Sequence, residues 1–323
     1  MVRNMEKVVE GRGIKKYFVA SKGLFSGAEY VKAVDDVDIE IYRGSILALV
    51  GESGSGKTTL GRILAGILKP DDGEVLFNGI DIYRDGLDRD LRHKIQVIFQ
   101  NPDSSLNPRM RVIDIIGEAL KEISPGLSKD ELIDRAAQLL ENVNLHIDHL
   151  YKYPHELSGG EKQRVAIARA LAVDPEFIVA DEPVSALDIS IRAQIINLLN
   201  DIHSRLGISM MYIAHDLRTV WNLSDYIAVM YLGKIVEYGE TEKVFKNVAH
   251  PYTATLLSSA PLMPKEFKKH NIYPVGEPPS LINPPKGCRF HTRCPLAREE
   301  CKKLNMELVE VEKGHYTACP YLI

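Results

Sequence analysis

The sequence predicts an α/β fold: a mixed sheet with an antiparallel N-terminal subdomain, a helical insertion and a small cysteine-containing C-terminal extension. Three observations carry this. Ser45-Ile46-Leu47-Ala48-Leu49-Val50 is a short apolar run that enters the glycine-rich GESGSGKT, and residues 59–68 beyond it have helical apolar spacing. Phe177-Ile178-Val179-Ala180 is a second buried-strand pattern, and it ends in the adjacent acids Asp181 and Glu182. All four cysteines lie after residue 287, where prolines also cluster.

Taken in order, Val8 to Phe18 and Val31 to Ile41 are expected to open an antiparallel sheet across a polar loop, Ser21 to Glu29. Val75 to Ile82 places Asn78-Gly79 between apolar arms, a strong hairpin signal. Lys94 to Phe99 is a further strand, ending at Gln100, and the polar NPDSSLNPRM follows it. Ser128-Lys129-Asp130-Glu131 has the form of a capping box. Leu132, Ala136, Leu139 or Leu140, and Val143 then recur on one helical face. Residues 102–172 therefore read as a mostly helical insertion. Ile189 to Leu206 is expected as a helix and Ile208 to Ala214 as a strand with His215 at its end. Tyr226–Tyr231 and Ile235–Tyr238 form a closing hairpin through Leu232-Gly233-Lys234. From about His250, prolines at 274, 278, 279, 284, 285 and 295 mark a linker and appendage, not a continuation of the sheet. The expected domains are 1–250 and 251–323.

Apolar content of 45% and charged content of 26% are ordinary for a soluble globular chain. A net charge of −4 argues against a protein that coats nucleic acid. No apolar run approaches the ~18 residues of a membrane span. MVRNMEKVVEGRG has no apolar core, so a secretory signal is not expected and the chain should stay in the cytosol.

The strand–turn–helix around Gly51 to Thr58 is the context of a phosphate-binding loop. Gly51, Gly54 and Gly56 let the backbone curl until its N–H groups face phosphate oxygens, and the helix dipole adds to that field. Lys57 would bridge β- and γ-phosphate, and the Thr58 hydroxyl would ligate Mg²⁺. The bland alternative is an ordinary Gly-rich turn. At average usage the four-position pattern arises by chance in roughly 1% of chains this long, and the flanking elements make it rarer.

Gly51–Thr58, Gln100, LSGGE (Leu157–Glu161) continuing as KQRVAIARAL, IVADE ending at Glu182, SALD (Ser185–Asp188) and His215 occur in the order found in ABC ATPases, which this chain resembles over essentially its whole length. The first loop alone leaves kinases and GTPases open, whereas LSGGE with its continuation does not. The resemblance implies an ABC-type ATPase core of the P-loop NTPase class, with ATP and Mg²⁺. It implies that Phe18 in IKKYF stacks on adenine, with Tyr17 as neighbour. A half-buried surface aromatic is the alternative for Phe18. Gly51, Ser53, Gly54, Ser55, Gly56, Lys57, Thr58 and Thr59 would then form the phosphate site. Asp181 would hold Mg²⁺, since a hard cation takes oxygen ligands. Glu182 would polarise the attacking water as general base. Gln100 would contact Mg²⁺ or that water, and His215 the γ-phosphate. Ser158, Gly159, Gly160 and Glu161 would cap ATP on an opposite subunit, and Asp188 would sit at the junction of the two sites, so catalysis needs a dimer.

FQNPDSSLNPRM, YPHELSGGE, HPYT (His250–Thr253), GEPPS (Gly276–Ser280) and CRFHTRCP (Cys288–Pro295) resemble the ATPase subunits of dipeptide and oligopeptide importers. That implies a paralogous ATPase partner in a heterodimer, two membrane permeases and, indirectly, an extracytoplasmic solute-binding protein, but no nucleic acid. It also implies a peripheral place at the cytoplasmic face of the membrane. Members carrying nickel or oligosaccharides are the alternative cargo reading. A soluble ABC ATPase of DNA repair or translation is disfavoured by the single cassette and the absence of sustained heptads.

Cys288, Cys294, Cys301 and Cys319 match the ligand count of a [4Fe–4S] cluster or a Cys₄ zinc site. Structural zinc usually takes tight C-x₂₋₄-C knuckles, and none is present. The wide spacing and the importer resemblance favour the cluster as a structural staple, with zinc and free or disulfide-bonded thiols as alternatives. On this reading the staple holds only residues after about 250 and is independent of ATP binding.

Overall fold

The computed structural model describes residues 6–22, 28–260, 263–264, 267 and 272–321. The chain divides into two compact units, Met1–Gly86 with Met211–Ile323, and Leu87–Met210. The first unit opens with β1 (Lys7–Lys22), β2 (Ala28–Tyr42), β3 (Ile46–Val50), α1 (Lys57–Leu64), β4 (Asp72–Phe77) and β5 (Ile80–Asp81). The second holds α2 (Arg89–Lys94), β6 (Ile95–Ile98), α3 (Pro102–Ser105), α4 (Val112–Ile123), α5 (Lys129–Asn142), α6 (Gly159–Leu171), β7 (Phe177–Asp181) and α7 (Ile189–Leu206). β8 (Ser209–Ala214) returns the chain to the first unit. There it continues as α8 (Leu217–Leu223), β9 (Tyr226–Tyr231), β10 (Lys234–Glu240), α9 (Thr241–Lys246), α10 (Pro251–Ser259), β11 (Val309–Glu312) and β12 (His315–Thr317).

In the first unit, β1 pairs antiparallel with both β2 and β4, giving a sheet of order β2-β1-β4-β5. Residues 23–27 of the expected Ser21–Glu29 loop lie outside the described residues. At the β4–β5 turn Asn78 and Gly79 have φ of 49° and 80°. Both are positive, as a tight hairpin matching strand twist requires. The unit's other sheet runs β11-β12-β10-β9-β3, followed by the part of β8 in this unit. β3 is buried at all five positions and pairs parallel with β9, from Leu47 opposite Tyr226 to Val50 opposite Val229. A strand covered on both faces reads as the continuous apolar run that the sequence shows.

One expectation is corrected here. The C-terminal extension does continue the sheet: β12 pairs antiparallel with β10, and β11 with β12. The register sets Gly239 opposite His315 and Glu237 opposite Thr317. The reason is a polar anchor. The fully buried carboxylate of Glu237 accepts the Ala249 and His250 N–H groups at 2.8 and 3.1 Å and lies 2.8 Å from His315 Nε2. A carboxylate withdrawn from water must be hydrogen-bonded, and β12 brings one of the partners.

In the second unit β6 and β7 form a parallel pair, from Ile95 opposite Phe177 to Ile98 opposite Ala180. Helices α4 and α5 pack on α6 and on one another. The Ser128 capping box is present: Ser128 N–H and Oγ donate to Glu131 Oε2 at 2.9 and 2.7 Å. Of the two leucines the pattern left open, Leu140 is buried with Ala136 and Val143, and Leu139 is only half-buried. Among the described residues, no helix is long and apolar enough to cross a membrane.

Candidate nucleotide site

The phosphate loop belongs to the first unit. β3 ends at Val50, and Gly51 (φ 154°), Gly54 (φ 76°) and Gly56 (φ 106°) turn the chain into α1. Glycine is required at two of these on steric grounds. A Cβ on Gly51 would lie 2.1 Å from the Met230 carbonyl oxygen, and one on Gly56 would lie 2.0 Å from that of Ala33. Gly54 faces open space, with nothing within 4 Å of its Cβ position. The loop is therefore pressed against β9 and β2 on its inner side and left open at its crest. Lys57 is buried, and its Nζ donates to the Gly51 and Glu52 carbonyls at 2.8 and 2.9 Å, lying across the loop's concavity. Ser55 Oγ is buried without a hydrogen-bond partner. A curled backbone, an enclosed ammonium and an unused hydroxyl suit a phosphate chain. Thr58 and Thr59 are half-buried in the first turn of α1, and Ser53 is exposed. His215 follows β8 in this unit and is exposed.

Phe18 is 40% exposed at the open end of β1, with Lys16 Nζ 5.8 Å from its ring centroid. Tyr17, by contrast, commits its hydroxyl to the Asp35 carboxylate. Burial together with that contact raises the Tyr17 pKa well above the usual phenol value. Of the two aromatics, Phe18 is the more exposed.

The second unit carries the carboxylates. β7 ends with Asp181 buried and Glu182 half-buried. Glu182 has φ 45°, a left-handed conformation that costs a non-glycine residue about 1 kcal/mol or more. The turn beyond it supports that conformation, since Ser185 N–H and Oγ both donate to the Glu182 carbonyl, at 3.1 Å each. Gln100 Nε2 donates to Glu182 Oε2 at 3.2 Å, so these two expected residues are brought together. Within this unit Gln100 and Asp181 offer amide and carboxylate oxygens, donor types that a hard cation such as Mg²⁺ takes.

LSGGE starts α6 in the same unit. Ser158 is its N-cap and forms a second capping box. Ser158 N–H and Oγ donate to Glu161 Oε2 at 2.8 and 2.7 Å, and His149 Nε2 lies 3.0 Å from Glu161 Oε1. The Ser158 backbone N–H, then its hydroxyl and then His149 hold the Glu161 carboxyl down at about 2. Ser158 and Gly159 are exposed. Gly160 packs on the start of α7, where a Cβ would lie 2.7 Å from Ile191 Cγ2. Lys162 donates to Asp103 at 2.6 Å, tying this helix to the segment that begins at Gln100. Asp188 is the exposed N-cap of α7.

Among the described residues, no group of three or more His, Cys, Asp or Glu side chains is disposed to hold a metal ion, the four cysteines included. Cys301 Sγ accepts the Arg298 N–H at 3.4 Å, and Cys319 donates to the Tyr321 carbonyl at 3.4 Å. The thiols do lie in one another's electrostatic field. Burial first, with the other three cysteines adding to it, pushes the Cys288 thiol up to about 12.

Sequence reasoning missed a set of residues around the phosphate loop. Arg293 Nη1 lies 3.0 and 2.9 Å from the two carboxylate oxygens of Glu52, and the Glu52 N–H donates to Tyr252 Oη at 2.8 Å. Arg289 pairs with Asp35 and donates to the Leu232 carbonyl. The only available signal was two arginines four apart in CRFHTRCP, beside a motif read for its cysteines.

Known proteins resemble this chain in sequence and fold. Residues 34–185 match the family described as ABC transporter, and residues 236–301 match the oligopeptide/dipeptide transporter C-terminal region. The chain is 44% identical over 320 residues to the dipeptide transport ATP-binding protein DppF of Haemophilus influenzae, covering 98% of each chain. It is also 44% identical over 322 residues to the oligopeptide transport ATP-binding protein AppF of Bacillus subtilis, again covering 98% of each. A solved dimer of the ATP-binding cassette MJ0796 in a post-hydrolysis state, bound to ADP and Pi, superposes with a TM-score of 0.64 at 27% identity. That match covers 72% of this chain and 98% of the other. Fold and site together define an ABC-type ATPase. The chain belongs to the family of ATP-binding subunits of dipeptide and oligopeptide ABC transporters.

Proposed function

We propose that this chain is the ATP-hydrolysing subunit of an importer of di- or oligopeptides, working peripherally at the cytoplasmic face of the membrane. The observation that carries the cargo is the near full-length likeness to peptide-transport ATP-binding proteins, which extends through the C-terminal region as well as the cassette. The gathered pair Gln100 and Glu182 supports hydrolysis by general-base catalysis. Thr58 and Asp181 would hold Mg²⁺, Gln100 would contact it or the attacking water, and the ion would neutralise charge on the phosphates. Lys57 and the loop N–H groups would bind the β- and γ-phosphates, Glu182 would take the proton of the attacking water, and His215 would hydrogen-bond the γ-phosphate.

Ser158, Gly159 and Gly160 would act on nucleotide held by a second, paralogous subunit, with Asp188 at the junction. The exposure of Ser158 and Gly159 supports this. So does the Ser158 hydroxyl, which donates to Glu161 here and would turn to donate to a phosphate instead. Isolated chain should then be a slow ATPase whose turnover rises with concentration or with the partner ATPase. Two permeases and, through them, an extracytoplasmic binding protein would complete the importer.

The four cysteines would hold a [4Fe–4S] cluster, with zinc as the alternative occupant. The raised pKa values of Cys288, Cys294 and Cys319, due first to burial and then to neighbouring cysteines, support this reading. In this structure they do not stand as a ligand set, so no step of hydrolysis is assigned to the cluster. The deciding experiment is uptake by membranes carrying this subunit with its partner ATPase, permeases and binding protein, using labelled dipeptide, oligosaccharide and nickel. ATP-dependent entry of dipeptide alone is expected. Entry of nickel or oligosaccharide with no peptide would replace the cargo.

A further inference from the structure

The phosphate loop is held at both ends by the turn that carries the first two cysteines. At its start, the Glu52 carboxylate takes two bonds from Arg293 Nη1, at 2.9 and 3.0 Å, and the Glu52 N–H is bound by Tyr252 Oη at 2.8 Å. Tyr252 is a fully buried residue of α10, packed against Tyr231 and Phe290 with ring centroids 4.5 and 5.3 Å away. Arg293 is only 6% exposed, and the Tyr231 hydroxyl lies 3.4 Å from its Nη1. Burial works against the Arg293 charge, but Tyr231 and Glu52 outweigh it and its pKa is raised. A charge held this far from water is tied to its partners, because losing one leaves the other uncompensated.

At the loop's other end, the Ser55 carbonyl accepts the Gly233 N–H at 2.8 Å. Gly233 belongs to the β9–β10 turn, where Leu232 has φ 43°. A branched side chain in that conformation persists only when its surroundings over-determine it. Arg289 does so: it donates to the Leu232 carbonyl and pairs with Asp35, whose own N–H donates to the Gly233 carbonyl at 2.9 Å. Arg289 and Arg293 stand four residues apart in the same turn as Phe290, which packs on Tyr231 and Tyr252.

We propose that Arg293, with Tyr252, is a positioning residue for nucleotide: the C-terminal extension sets the shape of the phosphate loop through Glu52 and thereby sets nucleotide affinity. The extension is then not the separable appendage that the sequence suggests. The proposal rests on the loop being the nucleotide site. A loop in its binding shape for only a fraction of the time loses affinity by that fraction. Arg293→Met should therefore raise the Kd of a fluorescent ATP analogue with Mg²⁺ by about 5- to 50-fold. KM should rise with it, while kcat stays within about twofold, because Glu182 is not touched.

The test uses the full chain, with folding monitored by circular dichroism and thermal melting. Arg293→Lys should recover part of the affinity, which a role in packing alone would not give. Glu52→Gln and Tyr252→Phe, which read the same contacts from the loop side, should each raise Kd. The Glu52→Gln/Arg293→Met double variant should bind no worse than the weaker single one, the sign of a shared interaction. Wild-type Kd in folded Arg293→Met, or strictly additive effects, overturns the proposal. If Arg293→Met does not fold, wild-type Kd in both Glu52→Gln and Tyr252→Phe overturns it equally. Lys57→Ala separates the two levels. If Lys57→Ala binds the analogue normally, the loop is not the nucleotide site. If it does not bind while the Glu52 and Arg293 variants do, only the positioning role fails.

Discussion

Gln100 Nε2 donates to Glu182 Oε2 at 3.2 Å, joining residues 82 positions apart in the chain. The hydrogen bond presents Glu182 as an acceptor already aimed and already in a left-handed turn. A carboxylate oriented by an amide on a strained backbone suits the general-base role proposed for Glu182, and its partner Gln100 begins the segment tied to the LSGGE helix by Lys162 and Asp103.

Lys57→Ala should abolish binding, unlike a change at the base. Lys57 Nζ lies across the loop on the Gly51 and Glu52 carbonyls, so on the proposed role its loss would delete the charge meant to face the β- and γ-phosphates and would uncover those carbonyls. Equilibrium binding of a fluorescent ATP analogue should fall by ~10²-fold or more, and an unchanged Kd would remove the loop from the phosphate site.

His250 should make stability pH-dependent. It is 1% exposed, its Nδ1 caps α10 by accepting the Tyr252 N–H, and burial pulls its pKa down to about 3. The folded value lies below the unfolded one of about 6.5, so the unfolded chain binds more protons between them. Stability should therefore be full above about 6.5 and fall with decreasing pH toward about 3, by up to ~1.4 kcal/mol per unit from this residue. His250→Asn keeps a capping oxygen without the titration. Urea denaturation at pH 7 and pH 5 should show the wild type losing more than the variant, and equal losses would refute the assignment.

The Glu237–His315 contact anchors the last two strands. His315→Ala should cost about 2–4 kcal/mol, because it leaves a fully buried carboxylate short of a partner. Proteolysis should then begin in residues 309–317, and a melting curve identical to wild type would contradict the anchor.

Anaerobically purified protein should contain about four irons per chain and absorb broadly near ~400 nm. Cys294→Ser should bleach it. Because Cys294 adjoins Arg293, that variant should also weaken nucleotide binding, where the sequence alone suggested none. Colourless protein with one zinc would replace the cluster and keep the staple.

What was legible in the sequence is what is written in contiguous residues. GESGSGKT carries its own turn geometry, IVADE its own strand and acids, Asn78-Gly79 its own turn and the Ser128 box its own hydrogen bonds. The clamp on the loop was not legible, since Arg289 pairs with Asp35 across 254 positions and Arg293 with Glu52 across 241. No local period encodes such a pair. The added strands escaped for a different reason: at four and three residues, Val309–Glu312 and His315–Thr317 are too short to show alternation, and a buried Glu237 does not advertise itself.

The most direct test of the account is the fate of nucleotide on Glu182→Gln. The amide keeps the shape of the side chain but cannot take a proton, so hydrolysis should fall by roughly 10²–10⁴-fold while binding through the intact loop persists. Incubated with radiolabelled MgATP and the partner ATPase, then rapidly separated, the variant should retain ATP, with a dimer visible by size exclusion. Recovery of ADP at the wild-type rate from this subunit's own site would contradict Glu182 as the base and, with it, the reading of β7 as the catalytic strand.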